Sequence, residues 1–265
     1  MKPETVSLLC TPGTHEPLSL TSETRPDGGV QHVLVGVHSG ERFLIRDGIP
    51  VLLDESKISG FNRQYQGFYN RIAGGYDVTI KLFAYLAGGG EEHFRREFLQ
   101  ELEIQEGSRV LEVSIGTGAN LHYLPVKASY FGVDLSWGML KRCQRHQERW
   151  QMEAELILGN AEDLPLRDEL FDSVFHVGGI NAFNDRAKAI CEMIRVARAG
   201  TKIVIVDETA KLLESFAWMP SARKWLQEHG ERFSAPVGLV PDGMRDVQVK
   251  EIVRGNMYCL TFRKP

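Results

Sequence analysis

The sequence predicts an α/β chain: a doubly wound, mostly parallel seven-stranded sheet (a Rossmann-like arrangement) with a small β-rich unit ahead of it. Three observations carry this. Between residues 109 and 207, short apolar runs alternate with helical periodicity, the pattern of a parallel sheet with crossover helices. Residues 111–120, LEVSIGTGAN, pass from an apolar strand into a glycine turn, and residues 130–134 end a second apolar run in an acid. Residues 247–253 and 258–262, joined through Arg254-Gly255-Asn256, read as a closing hairpin.

The elements follow in order. Residues 1–55 form a β-rich mini-domain. Residues 30–37 alternate as a strand, and residues 42–45 and 49–53 add two more, split by the turn Arg46-Asp47-Gly48. Pro12-Gly13, Pro17 and Pro26-Asp27-Gly28-Gly29 punctuate the rest. So short a unit cannot bury a large core alone and must lean on its neighbour. Residues 56–90 are a linker followed by an aromatic helical segment holding Tyr65, Tyr69, Tyr76 and Tyr85, four of the chain's seven tyrosines. Two readings stand for these rings: simple packing on the domain, or a lid over a ligand.

Residues 91–265 make the main domain. A helix over residues 91–103 carries Phe94, Phe98, Leu99 and Leu102 on one face. Strands are expected at 109–115, 130–134, 155–158, 173–177 and 202–207. A first crossover helix starts over residues 119–124. Ser136 caps a second helix that reaches Trp150, and Asn184 caps a third with Ala187, Ile190, Cys191 and Ile194 inward, ending at Gly200. Residues 209–244 supply the last crossover helix; most of their bulky side chains read as helix core, and the remainder as the wall of an apolar substrate pocket.

Bulk properties exclude several classes. The chain has 265 residues, 43% hydrophobic and 25% charged, ordinary for a globular protein. A net charge of −4 gives no general pull towards nucleic acid. The four cysteines, Cys10, Cys143, Cys191 and Cys259, are scattered and form no CxxC pair, which fits a reducing cytoplasm. No apolar stretch is long enough for a signal peptide or a membrane span. The expectation is a soluble cytoplasmic protein.

The chemistry concentrates at the ends of the first strands. Gly116 and Gly118 let the backbone turn tightly and approach a ligand. A dinucleotide site puts a third glycine three residues later, where this chain has Leu121. That disfavours NAD and a nicotinamide oxidoreductase, and points towards S-adenosylmethionine (SAM), which has no phosphate. Glu112 answers an ammonium, directly or through water. Asp134, 16 residues after Gly118, accepts the ribose hydroxyls, with Leu135 behind it; the competing reading is a turn or cap aspartate before Ser136. Asn160, Ala161 and Asp163 sit beside the adenine, unless Asn160 or Asp163 serves only as a cap. Val177 borders the cofactor at the end of the fourth strand. His176 is the candidate base, or else it points into the sheet. Asn181 and Phe183 are candidate substrate contacts. Asp207 and Glu208 face the same rim, or are solvated loop residues. A sulfonium methyl is already activated, so positioning and desolvation suffice for in-line displacement.

These residues carry a resemblance. Over about residues 65–208 the chain resembles the class I SAM-dependent methyltransferases of the ubiquinone/menaquinone biosynthesis branch. Glu112-Val113-Ser114-Ile115-Gly116-Thr117-Gly118 matches the first motif, with Ser114 in place of its first glycine. GVDLSWGML, NAEDLPL and FDSVF resemble the next three. Tyr69 and Tyr76 match the aromatic segment that closes over the methionine end of SAM, and the final hairpin matches the antiparallel seventh strand. The resemblance implies methyl transfer to a small-molecule acceptor; no nucleic-acid partner and no membrane span are expected, and a homodimer is left open. A protein or RNA acceptor, or a non-catalytic SAM-binding scaffold, are the alternatives. CTPGTHEPLSL and GERFLIRDGIPVLL resemble the Trm112-like domain, whose zinc-binding members carry two CxxC pairs. Here Cys10 stands alone, Gly13 takes its partner's place, and Cys10, His15, His32 and His38 match no zinc spacing; no metal is expected.

Overall fold

The structure is a computed structural model that describes residues 1–24, 28–72, 90–215, 218 and 220–265. Two sheets build it. The first is antiparallel, in the order β1 (Leu18–Thr24), β2 (Val30–Gly36), β3 (Arg42–Arg46), β4 (Ile49–Pro50). The second has seven strands: β5 (Arg109–Val113), β6 (Ser129–Asp134), β7 (Ala154–Leu158), β8 (Ser173–Val177), β9 (Lys202–Glu208), β10 (Arg245–Ile252) and β11 (Met257–Arg263). Its spatial order is β10-β11-β9-β8-β5-β6-β7. The five strands from β9 to β7 are parallel, and β11 runs antiparallel between β9 and β10.

The chain moves outward from β5 through β6 to β7, then returns to lay β8 on the other side of β5. Connections leaving β5 and β8 therefore part in opposite directions, and a crevice opens above the carboxyl ends of those strands. The central strand β5 is apolar on both faces apart from Glu112, because layers cover both sides. One core gathers Leu111, Val113, Phe131, Val133, Ile157 and Ile205 with Leu9, Leu18, Leu34, Phe43 and Leu52 of the first unit. That unit also covers the β7 edge: Val51 bridges Leu158 in parallel, and Leu52 N donates to Leu158 O at 2.9 Å. An open strand edge is thereby removed.

The helices are α1 (Gly60–Ile72), α2 (Gly90–Leu99), α3 (Trp137–Trp150), α4 (Arg186–Val196), α5 (Ala210–Glu214) and α6 (Pro220–His229). Ser136 caps α3 as expected, its Oγ accepting from Met139 N at 3.2 Å. Four expectations need correction. Strand β1 was not foreseen, because only Leu18 of LSLTSET is fully buried and no alternation shows. The first crossover has no α-helix: a single 3-10 turn, Leu121–Tyr123, precedes Pro125, which cannot extend a helix, and Asn120 is drawn inward by its side chain. The cap of α4 is Asp185, which accepts from Lys188 N at 2.9 Å. Asn184 instead accepts from Phe61 N at 2.8 Å and donates to Ser59 O at 2.9 Å, pinning the start of α1. Helix α4 ends at Val196 rather than Gly200 and buries Ala189, Ile190, Met193 and Val196; Cys191 faces outward. Among the described residues, no helix is long and apolar enough to cross a membrane.

Candidate functional site

A cavity of about 320 Å³ lies at the carboxyl ends of β5, β6, β8 and β9, beneath α1 and α2. That volume suits a nucleoside-sized ligand. Helix α1 reaches it by helical spacing: Asn62, Tyr65, Gln66 and Tyr69 turn inward. Asn62 Nδ2 donates to Glu162 Oε1 at 2.8 Å, and Gln66 Nε2 donates to Leu135 O at 3.2 Å. Asn70 Oδ1 accepts from Ser136 Oγ at 2.7 Å and from Gly138 N at 2.9 Å, locking α1 onto the start of α3.

One end of the cavity is a buried polar chain. Glu112 projects from β5; its Oε1 accepts from Asn120 Nδ2 at 2.5 Å, while its Oε2 is buried with no hydrogen-bond partner. Arg95, from α2, donates to Asn120 Oδ1 and places Nη2 2.6 Å from Glu91 Oε1. Burial pushes the Glu112 carboxyl up to about 8, and the Asn120 hydrogen bond opposes that rise. A buried carboxylate oxygen without a donor calls for a cation or an N–H group beside it.

The turn after β5 is held in left-handed conformations: φ is 60° at Ser114, 56° at Gly116 and 72° at Gly118. The two glycines serve different ends. A Cβ on Gly116 would meet nothing closer than 4.0 Å, and Gly116 lines the cavity. A Cβ on Gly118 would sit 2.4 Å from Cys143 Sγ, so this glycine admits α3; it does not line the cavity. Ser114 lines the cavity with a strained backbone that a glycine would adopt freely.

Asp134 is a turn aspartate that also borders the cavity. Its Oδ2 accepts from Gly116 N and its Oδ1 from Ser136 N, each at 2.8 Å. Burial pushes its carboxyl up to about 6, against the backbone N–H groups of Ser136, Gly116 and Leu135. A smaller cavity of about 30 Å³ shares Ser114, Asp134, Leu135 and Phe183 with the larger one and is walled by Asn160 and Ala161. Asn160 Oδ1 accepts from Glu162 N at 3.0 Å, so this residue also shapes its turn. Tyr69, Val177 and Phe183 line the main cavity.

Four expected site residues, Gly118, His176, Asp163 and Asn181, line neither cavity, and Tyr76 lies outside the described residues. His176 points into the sheet. It is fully buried, its Nδ1 lies 2.9 Å from Val113 O, and its ring packs edge-on against Phe183 at 5.3 Å. Strand alternation puts its neighbour Val177 on the cavity instead. Asp163 turns to the first unit, where its Oδ1 accepts from Gly13 N at 3.1 Å and meets His15 Nε2 at 3.0 Å. Asn181 is buried: its N donates to Asp207 Oδ2 at 2.8 Å and its Nδ2 to Glu208 O at 2.9 Å. Sequence reading missed Arg95, Gln66 and Met257 as cavity residues. Arg95 carried a signal, a cation beside Phe94 on an otherwise apolar helix face and four residues after Glu91.

Cys10, His15, His32 and His38 do not converge. Cys10 is buried against Leu164 O with its thiol pushed up to about 12 by burial, and His32 Nδ1 pairs with Ser22 Oγ at 3.0 Å. Among the described residues, His15, Asp163 and Glu192 gather within 4.8 Å of one another, and Arg195 ion-pairs Glu192 at 2.7 Å.

With this geometry in place, comparison with known proteins is informative. Residues 111–205 match the Methyltransferase domain family. That stretch runs from β5 into β9 and includes the glycine turn and Asp134. The chain is 32% identical over 140 residues to a demethylmenaquinone methyltransferase of Renibacterium salmoninarum, covering 52% of this chain and 56% of that protein. A demethylmenaquinone methyltransferase of Lactiplantibacillus plantarum is 29% identical over 148 residues, covering 54% and 61%. The chain thus spans rather more than half the length of these relatives. Two solved structures share the fold. A chain from the complex between the Haloferax volcanii Trm112 methyltransferase activator and a methyltransferase superposes with a TM-score of 0.58 at 14% identity, covering 74% of this chain and 97% of that one. A SAM-dependent methyltransferase from Aquifex aeolicus gives 0.52 at 22%, covering 64% and 90%.

Proposed function

We propose that this chain transfers a methyl group from SAM to a small-molecule acceptor by in-line displacement. The observation that carries the reading is the buried, unpartnered Oε2 of Glu112 at the polar end of the cavity. A sulfonium ligand with an amino-acid tail fits that end. Glu112, steadied by Asn120, receives its ammonium, and Arg95 lies in the same polar chain for its carboxylate. Asp134 takes the ribose hydroxyls with the lone pairs its two backbone donors leave open. Leu135, Asn160 and Ala161 border the adenine side, and Ser114, Gly116, Tyr69 and Val177 complete the wall. SAM supplies an activated methyl; the protein positions the reactants and excludes water, with α1 as cover.

The activities named for relatives support a small acceptor: two demethylmenaquinone methyltransferases, and a phosphatidylethanolamine N-methyltransferase of Cereibacter sphaeroides at 35% identity over 107 residues. Phe183, on the wall shared by both cavities, is the substrate contact that this geometry favours. We read residues 1–55 as a Trm112-like unit without zinc, 56–90 as linker and lid, and 91–265 as the methyltransferase domain. In the first unit the loop closed by the Cys10–Pro17 bridge spends its groups on Asp163, with no second thiol beside Cys10. The scattered cysteines support a cytoplasmic location. Titration calorimetry with SAM, S-adenosylhomocysteine (SAH) and NAD⁺ tests the reading. Binding of the first two and not the third is expected; a protein that binds NAD⁺ and ignores SAM ends it.

A further inference from the structure

Glu208 ends β9 on the wall of the main cavity, and nothing above gives it a task. Its neighbour Asp207 is fully buried and accepts from three backbone donors, Gly179 N at 3.2 Å and Glu208 N at 2.9 Å on Oδ1 and Asn181 N at 2.8 Å on Oδ2, and its carboxyl also interacts with the Glu208 side chain. The Glu208 carboxyl stays part-exposed to the cavity, and among the described residues no lysine or arginine ion-pairs with it. Around it stand Asp207 on β9, Tyr65 on α1 and Tyr258 on β11. Arg186 and Arg232 are held by main-chain carbonyls of Arg232, Asn181 and Phe183, and Lys211 by Arg254 O at 2.6 Å.

Position separates Glu208 from the nucleoside groups. In the sheet order, β8 stands between β9 and β5, and β6 with Asp134 lies beyond β5. At ~4.8 Å per strand, Glu208 is displaced by about 14 Å from the Asp134 column. The cavity wall on this side includes Tyr65, Ala182, Phe183, Leu212 and Met257, a mostly apolar setting for the carboxyl.

We propose that Glu208 is the acceptor-side base of this cavity, receiving the hydroxyl proton of an aromatic alcohol as the hydroxyl oxygen takes the methyl group. The proposal rests on the SAM reading above. An oxygen lone pair forms the O–CH₃ bond, the C–S bond breaks with its electron pair left on sulfur, and the O–H proton passes to the Glu208 carboxylate. One sulfonium charge and one carboxylate charge disappear together, so no net charge is stranded in the apolar cavity. Burial and the charge of Asp207 raise the proton affinity of Glu208, and a bound sulfonium offsets that by Coulomb attraction. A bound sulfonium favours the carboxylate form that receives the proton, and the raised affinity holds the proton after transfer.

Two measurements on wild type and Glu208→Gln test this. The amide mimics a protonated carboxyl beside Asp207, and SAH affinity within about threefold of wild type confirms an intact site. First, 1-naphthol and naphthalene are titrated into the SAH complex. Wild type should prefer 1-naphthol by roughly tenfold or more, and E208Q should lose the preference while keeping its naphthalene affinity. Second, calorimetry in buffers of different ionisation enthalpy counts protons. Wild type should release a larger fraction of a proton on binding SAM than on binding SAH, and E208Q should abolish the difference. Glu112 and Asp134 meet parts common to both ligands and cancel in that comparison. A wild type without the naphthol preference, a preference surviving in E208Q, or equal proton release with SAM and SAH each overturns the proposal. A wild type that binds neither SAM nor SAH fails the cofactor reading itself, and is told apart by that first titration.

Discussion

Asn120 Nδ2 holds Glu112 Oε1 at 2.5 Å and leaves Oε2 of the same carboxyl buried with no donor. A half-satisfied acid of this kind costs stability in the free protein and returns it when a cation arrives.

Stability of the ligand-free protein should therefore fall with rising pH through this residue. The folded value of Glu112, about 8, lies above its ordinary 4.5, so the folded state holds more protons between those values and loses stability as pH climbs through them. Glu112→Gln should unfold at a higher temperature than wild type at pH 8 and close to it at pH 4.5, a gap on the order of a few kcal/mol. The same variant should bind SAM more weakly. Parallel thermal melts across pH check the first part; a gap that does not widen with pH rejects the assignment.

Asp134→Ala should lower SAM affinity by about 1.5–3 kcal/mol, roughly 10- to 150-fold, the range for hydrogen bonds to a charged group. It also frees Gly116 N and Ser136 N, so a lower melting temperature should accompany the loss. Calorimetry that returns an unchanged dissociation constant removes Asp134 from the ligand site.

Ser114→Gly should stabilise the fold by ~1 kcal/mol. Serine at φ 60° bears a left-handed strain that glycine escapes, though glycine also loosens the unfolded chain and trims the gain. Urea midpoints at constant slope measure it.

Gly118→Ala should destabilise by about 2–4 kcal/mol, from left-handed strain plus the clash with Cys143 Sγ. Pairing it with Cys143→Ala should recover part of the loss. Strictly additive effects in that double-mutant cycle contradict the contact.

Thiol reactivity should single out Cys191. It is the exposed cysteine, while Cys10, Cys143 and Cys259 are buried, and burial pushes the thiols of Cys10 and Cys259 up to about 12 and 11. A chromogenic disulfide reagent should label one thiol quickly in native protein, and Cys191→Ser should abolish that phase. Rapid labelling of Cys10 would contradict the packing of the first unit.

Much of this was legible in the linear chain. Five parallel strands, the Ser136 cap, the final hairpin and the position of Glu112 and Asp134 on adjacent strands all follow from local patterns: apolar runs, a polar cap before a helix, an acid at a strand end. Such signals are short-range, and one sequence contains them whole. Asn184 was misjudged because two adjacent cap formers, Asn184 and Asp185, look alike until α1 claims the first through Phe61 N.

What a side chain faces was settled only by tertiary packing. Alternation on β8 sends His176 inward to Val113 O and Val177 outward to the cavity, and nothing in FHV states which way the pleat starts. Asp163 was lost to Gly13 and His15, about 150 residues away, and Arg95 was gained from a helix on the far side of the turn. The sequence by itself determined the strand order class and the turn chemistry, because these depend on neighbours along the chain. Tertiary structure alone decided which polar groups are already satisfied and which, like Glu112 Oε2, are left waiting, because that account is closed by partners brought together from separate elements.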